Sequence, residues 1–281
     1  MLVTLKEILK IAEKKKCAIG SFNTPNMTSV KAVVSAAEEL DAPVILMHAQ
    51  IHEEMGLCKM EEIAPVMLLF AKKAKVPVCV HLDHGTDIEY VAKGLALGFT
   101  SVMYDGSLLS VEENIANTKA VVSEAKRTGA SVEAEIGSMG AREGGGDGRE
   151  AVHTDPAQAQ AFVADTGIDA LACAFGTAHG IYLKEPVLDF ERLASIRAQV
   201  SVPLVMHGGS GVSNEDYKKV IDLGIRKINY YTYMAKAAGA AVAAMQDKTY
   251  FHDMEVVAMN AMKENVKEAI TIFNQERGMN V

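Results

Sequence analysis

Apolar and polar positions along the chain follow two alternating regimes. Short apolar runs rich in Val and Ile are separated by longer stretches whose apolar residues recur with helical period. The short runs are CAIGSF (17–22), PVILMHA (43–49), VPVCVHLD (76–83), SVMYDG (101–106), ASVEAEIG (130–137), ALACAFGTA (170–178), VPLVMHGG (202–209) and RKINYYT (226–232). Between them lie amphipathic stretches such as SVKAVVSAAEEL (29–40) and VEENIANTKAVVSEAKRTG (111–129). Several runs are almost continuously apolar, which is the mark of a strand covered on both faces. Pro77 and Pro203 stand where strands begin, a position that tolerates a missing N–H.

Strand–helix alternation implies parallel βαβ units, and eight of them predict an α/β fold of the (β/α)8 TIM barrel class. A doubly wound open sheet is the alternative. The amphipathic segment at 1–16 is expected to cap the barrel bottom as an N-terminal helix. An extra C-terminal helix around 254–273 is expected to pack outside or against a partner chain. No repeat, linker or low-complexity tract divides the chain, so residues 1–281 read as a single barrel domain.

The net charge of −8 and the scattered basic residues argue against nucleic acid or an acidic membrane surface as partner. No apolar run is long enough for a bilayer span, and the first residues lack a signal-peptide core. The four cysteines show no CxxC spacing, and Cys79 and Cys173 lie in apolar runs, as reduced core thiols do. A soluble cytoplasmic protein is expected.

In a (β/α)8 barrel the chemistry sits at the C-terminal strand ends. The third run ends on His81, Asp83 and His84, the fourth on Asp105, and the fifth on Glu133 and Glu135. The sixth ends on His179, the seventh on His207, and the eighth holds Asn229. His84, His179 and His207, from three separate strands, make a candidate open Zn²⁺ site with room for water or substrate. His81 reads as a residue that orients a ligand. Asp83 reads either as a proton relay or as the partner that holds a histidine tautomer. Asp105 and Glu135 read as carboxylates that offset the metal charge, offer it an alternative position, or form a salt bridge in the mouth. His48, His52, His153 and His252 read as surface or packing residues.

HGGSG (207–211) follows the seventh run and INYYT (228–232) ends the eighth. Loops in these two places form the usual phosphate site of the fold. Gly208 and Gly209 would let backbone approach an anion, and Ser210 and Thr232 would add hydroxyls at a helix start. The segment 137–155 carries six glycines between Gly137 and Gly148, and reads either as a surface loop or as a lid over substrate. A divalent metal beside a phosphate cradle suits enediolate chemistry on a phosphorylated ketone, with carbon–carbon bond cleavage or formation.

Six segments, HLDHG, SVMYDGS, SVEAEIG, FGTAHG, MHGGSG and KINYYT, stand in the order and spacing of the class II, zinc-dependent ketose-bisphosphate aldolases. The chain resembles the fructose-bisphosphate and tagatose-bisphosphate aldolase group over nearly its whole length. That resemblance implies a lyase that reversibly cleaves a ketose (bis)phosphate to dihydroxyacetone phosphate and an aldehyde through a metal-stabilised enediolate. It assigns Asp83 as proton donor, His84, His179 and His207 as zinc ligands, and Asp105 and Glu135 as carboxylates near an alternative metal position. Gly180, Gly208, Gly209, Ser210, Asn229, Tyr230, Tyr231 and Thr232 match its substrate contacts, and Asn23 joins that set. Glu143 falls where the family has a glutamate that moves the enediolate proton. A monovalent cation (Na⁺ or K⁺) and a homodimer or homotetramer are implied as well. A sugar-phosphate epimerase or another metal-dependent enzyme on the same barrel is the alternative, and a non-catalytic sugar-phosphate sensor is a third. The chain departs from the family's text at His48 and Ala49, at Tyr231, and across 247–257, which lacks an arginine. These departures fall on the aldehyde end and imply that the acceptor is not glyceraldehyde 3-phosphate or is held by other groups.

Overall fold

The computed structural model describes residues 1–139, 151–182, 184–247 and 249–275. A two-residue strand, β1 (Leu2–Val3), leads into α1 (Leu5–Lys15). Eight longer units follow: β2 (Ile19–Asn23) with α2 (Met27–Glu39), β3 (Val44–Ala49) with α3 (Gln50–Glu54) and α4 (Met60–Lys73), and β4 (Val78–Gly85) with α5 (Ile88–Leu97). Next come β5 (Ser101–Tyr104) with α6 (Val111–Thr128), β6 (Ser131–Ile136) with α7 (Pro156–Thr166), and β7 (Ala170–Cys173) with α8 (Phe190–Gln199). The last are β8 (Leu204–Met206) with α9 (Asn214–Asp222), and β9 (Ile225–Tyr230) with α10 (Thr232–Ala244) and α11 (Phe251–Phe273). The strands are ordered β4-β3-β2-β9-β8-β7-β6-β5, and β4 also pairs with β5, so the sheet closes. Every strand pairing is parallel. This is the (β/α)8 barrel that the alternation predicts, with one added strand and a C-terminal helix.

The expected runs and the observed strands coincide in number but not in length. ALACAFGTA forms a strand only over Ala170–Cys173, and VPLVMHGG only over Leu204–Met206. The remainders are loops, so His179 and His207 leave the barrel on irregular backbone. The two-residue β1 is too short to give a periodic signal. It pairs with Val78 and Cys79 of β4, below the point where β5 joins that strand at His81.

Alternation divides the barrel's apolar side chains in two. Outward residues such as Val44, Leu46, Val80, Leu82 and Val102 pack under the helices in one cluster. Inward residues Ile19, Ile45, Met47, Cys79, Met103, Ala172 and Val205 form a second. Helix α1 completes this inner cluster with Leu5, Ile8, Leu9 and Ala12, which plug the N-terminal end as expected. A capping box between Thr4 and Glu7 starts that helix. Helix α11 packs on α2 and α10. Its Phe273 ring meets Tyr217 and Tyr230, and its carbonyl accepts the Ala18 N–H at the start of β2. All four cysteines are free. Among the described residues no helix is long and apolar enough to cross a membrane.

Candidate active site

The inward positions change character along each strand. In β4 they run Cys79, His81, Asp83; beyond Met103 comes Asp105, and beyond Val205 comes His207. Strict alternation would turn His84 outward. The β4–β5 register instead shifts between Leu82 and Gly85, and His84 takes a left-handed backbone with φ 48°. Few non-glycine residues adopt that conformation, and such strain gathers at functional sites. Here the irregularity brings two consecutive residues, Asp83 and His84, to the same cleft.

His84, His179 and His207 each offer a ring nitrogen, and the three nitrogens lie within 4.8 Å of one another. Ring centroids are 4.5 Å apart for His84 and His207, and 4.9 Å for His84 and His179. Nε2 of His84 and Nδ1 of His207 approach to 2.9 Å, so both point at one spot. The opposite nitrogens are held by carboxylates. Nδ1 of His84 donates to Asp105 Oδ2 at 2.7 Å, and Nε2 of His207 donates to Glu133 Oε1 at 2.8 Å. A carboxylate behind a ligating imidazole fixes its tautomer and aims the other nitrogen. Three converging imidazoles, two so oriented, fit a divalent cation of the zinc type. Asp105 thus serves His84 from behind rather than lining the cleft, although His84, Asp105 and Glu135 also lie close enough to hold an ion. Glu135 Oε2 is 3.7 Å from His207 Nδ1.

Beneath this group lies a wholly buried charge network. Lys227 Nζ sits 2.9 and 3.1 Å from the two oxygens of Glu133, and neither side chain is exposed. His81 lies beside them, with Nδ1 2.8 Å from Ser101 Oγ and Nε2 3.8 Å from Glu133 Oε2. His81 thus stands beside the Glu133 carboxylate, with Ser101 as its hydrogen-bond partner. Glu133 is expected only as a residue at a strand end, and Lys227 is absent from the expected site residues. The signal is alternation, which puts Lys227 on the face of Asn229, where a charge requires a partner.

Burial pushes His207 and His81 well below the usual imidazole range, aided by the positive charges around them. A neutral His207 is the form a cation needs. For His84 burial acts the same way, but Asp83 and Asp105 outweigh it and raise the group to about 9. Burial disfavours an ionised Asp83 too, yet His84, His207 and Lys227 pull its carboxyl down to about 2. Its Oδ1 also accepts from Asn229 Nδ2 at 2.9 Å. Asp105 is held well below the carboxylate range, burial being overcome by His84 and Ser107.

A cleft opens over the histidines. Asn23, Asp83, His84, His179, Gly180, Gly208, Gly209, Ser210, Asn229, Tyr230, Tyr231 and Thr232 all border it. The β8 loop is shaped by close approach. A Cβ on Gly208, at φ 62°, would meet the Ala178 carbonyl oxygen at 2.3 Å, and one on Gly209 would meet that of Asn229 at 2.7 Å. The Gly209 N–H donates to Asn229 O, so Gly209 supplies shape rather than a donor to an anion. Ser210 Oγ accepts the Tyr231 N–H at 3.0 Å and so ties the β8 loop to the start of α10. That helix has no side-chain cap and no acidic residue in its first turn, which favours an anion there. Tyr182, absent from the expected set, donates to Gly208 O and accepts from Ala178 N–H, joining the β7 and β8 loops. Tyr230 borders the cleft, but its ring packs outward on Phe22 and Phe273.

The histidines set aside as surface or packing residues divide. His153 and His252 are exposed. His48 is buried behind the cleft, and His52, 1 % exposed, lines it. Glu143 and most of the glycine-rich segment read as a lid lie outside the described residues.

Comparison with known proteins agrees with this geometry. The family profile described as fructose-bisphosphate aldolase class-II matches residues 3–277. The chain is 40% identical over 270 residues to a probable fructose-bisphosphate aldolase of Bacillus subtilis, covering 94% of this chain and 95% of that one. It is 40% identical to the YdjI protein of Escherichia coli K12 over the same shares of the two chains. The crystal structure of the YdjI aldolase superposes with a TM-score of 0.86 at 38% identity, over 97% of each chain. A putative fructose-1,6-bisphosphate aldolase of Coccidioides immitis gives 0.88 at 28% identity, over 96% of this chain and 95% of that one. With four of the six motifs bordering one cleft and the match running almost end to end, the chain belongs to the class II fructose-bisphosphate aldolase family of lyases.

Proposed function

We propose that the protein reversibly cleaves a ketose phosphate into dihydroxyacetone phosphate and an aldehyde, using a divalent cation, Zn²⁺ by its donor set, held by His84, His179 and His207. The observation that carries this reading is the convergence of three imidazole nitrogens within 4.8 Å beside a glycine-shaped cradle at the start of α10. When bound, the cation supplies Lewis-acid polarisation of the ketone and neighbouring hydroxyl oxygens.

The chain's own groups account for the rest. Gly180, Gly208, Ser210 and Thr232 hold the phosphate at the helix N-terminus, where backbone dipoles favour an anion. Ser210 contributes its hydroxyl hydrogen, since its oxygen already accepts from Tyr231. Anchored there, the three-carbon unit lies across the histidines with its reacting carbon toward Asp83. Asp83, held ionised, takes the proton of the C4 hydroxyl as the C3–C4 bond breaks and the C4 oxygen becomes a carbonyl. The bond's electron pair stays with the dihydroxyacetone phosphate fragment, which then takes a proton at C3. The family resemblance gives that second proton to Glu143. Asn229 keeps Asp83 oriented through its 2.9 Å hydrogen bond. Asn23 borders the same cleft and would contact the substrate hydroxyls.

The test is product analysis with zinc-loaded protein. Dihydroxyacetone phosphate alone should exchange its C3 hydrogen with solvent, and adding an aldehyde should give one condensed product. An epimerase would interconvert ketose phosphates without releasing two fragments. Absence of both exchange and condensation would overturn the reading.

A further inference from the structure

The cleft has a second wall that the site chemistry does not use. Ala49 ends β3 in register with Asp83, the residue that meets the aldehyde oxygen. The chain then turns directly into α3, whose Ile51 and His52 border the cleft. The His52 ring lies 4.8 Å from that of Tyr231, so the β3 and β9 loops meet above the end of β2.

This short helix is pinned from behind. The Tyr90 hydroxyl donates to Glu53 Oε2 at 2.9 Å and sits 3.0 Å from His48 Nε2. Met60 N–H donates to the same glutamate oxygen, and Thr86 N–H donates to Gln50 Oε1. Burial lowers His48 to about 4, so its neutral ring serves as a donor to Tyr90. The cleft wall is therefore rigidly placed, and its chemistry is small, apolar and aromatic.

Among the described residues that line the cleft there is no Lys or Arg. Lys227 is sealed beneath the floor against Glu133 and cannot reach a substrate. The glycine-shaped phosphate cradle belongs to the β8 and β9 loops, whereas Ala49, Ile51 and His52 come from the end of β3 and from α3. We infer that α3 is the aldehyde-specificity element and that the enzyme takes a ketose carrying a single phosphate, releasing a non-phosphorylated hydroxyaldehyde that packs on Ile51, His52 and Tyr231. This rests on the aldol reading above and names its substrate class.

The experiment pairs dihydroxyacetone phosphate with glyceraldehyde or glyceraldehyde 3-phosphate, and with erythrose or erythrose 4-phosphate, on the zinc-loaded full chain. The non-phosphorylated member of each pair should show kcat/KM higher by about tenfold or more, because a phosphate would meet no Lys or Arg among the described residues that line the cleft. Preference for the phosphorylated aldehydes overturns the inference while leaving the aldol reading intact. Loss of solvent exchange at C3 with dihydroxyacetone phosphate alone overturns the aldol reading instead, and this one with it. Ile51→Arg, at a half-buried position, should move the ratio toward the phosphorylated aldehydes by about tenfold. An unchanged ratio in that variant, with exchange at C3 retained, overturns the placement of α3 at the aldehyde end.

Discussion

The two ends of the barrel are built from the same strands and obey opposite rules. At the N-terminal end the inward side chains are Ile19, Ile45, Cys79 and Val205, plugged by Leu5, Ile8 and Leu9 of α1. At the C-terminal end the same strands turn inward Asp83, Glu133, Glu135 and His207, with Lys227 and Asn229 from β9, all buried. The lower end needs only volume and apolarity, so its residues are exchangeable in kind. The upper end buries charges that other groups offset: Lys227 pairs with Glu133 and Asp105 with His84, while the Asn229 amide donates to Asp83. Stability is concentrated below and chemistry above.

The sharpest way to break that division is to remove a ligand. His207→Ala should abolish zinc retention and turnover together while the far-UV dichroism stays native; retained metal by elemental analysis would contradict the site. Glu133→Gln comes next. It should weaken zinc about 10–100-fold through the misaimed His207. It should also cost about 3–5 kcal/mol by leaving Lys227 buried without its counter-charge. Adding Lys227→Met should recover the stability in denaturant titrations but not the zinc affinity. Recovery of both would mean that Glu133 does not aim the ligand.

At the opposite end, Ile8→Ala should cost about 2–5 kcal/mol through transfer and cavity terms. Because Ile8 is fully buried in the lower cluster and far from the cleft, kcat should be unchanged. A drop in kcat at full folding would show that the two ends are coupled. A pH titration probes the upper end more gently. Without a cation, Asp83 and Asp105 hold the His84 proton up to about 9 against the effect of burial. Binding must displace that proton, so apparent zinc affinity should rise with pH below about 9 and fall by about tenfold per unit on acidification. Competition with a chromophoric chelator across the pH range measures the slope, and a flat profile would exclude His84 as a ligand. The smallest effect is expected at Thr4→Ala, which removes the α1 capping box and should cost about 1 kcal/mol with no catalytic change.

Much of this was legible in the chain because a barrel strand writes its environment into its text. A buried run such as VPVCV passing into HLDHG marks where a covered strand meets the mouth, and the glycines of HGGSG mark backbone under close approach. The three histidines that converge and the glycine loop beside them could be named from that pattern with the family resemblance. Other parts depended on partners far along the chain. His52 looks like any helical histidine until β3 places it against Tyr231. Asp105 looks like a cleft residue until its distance to His84 Nδ1 shows it behind the ring. Tyr182 carries no motif at all, and only its bonds to Gly208 and Ala178 reveal that it ties two loops together.

The sequence by itself determined the order of strands and helices, the apolar character of both sheet faces and the residues available at each strand end. Those are local properties, set by periodicity and by the burial each side chain can bear. The tertiary structure alone decided which of those residues meet. Barrel closure between β4 and β5, and the left-handed turn at His84, bring imidazoles from β4, the β7 loop and the β8 end to one point. Convergence of that kind is a property of three-dimensional distance, which no spacing along the chain encodes.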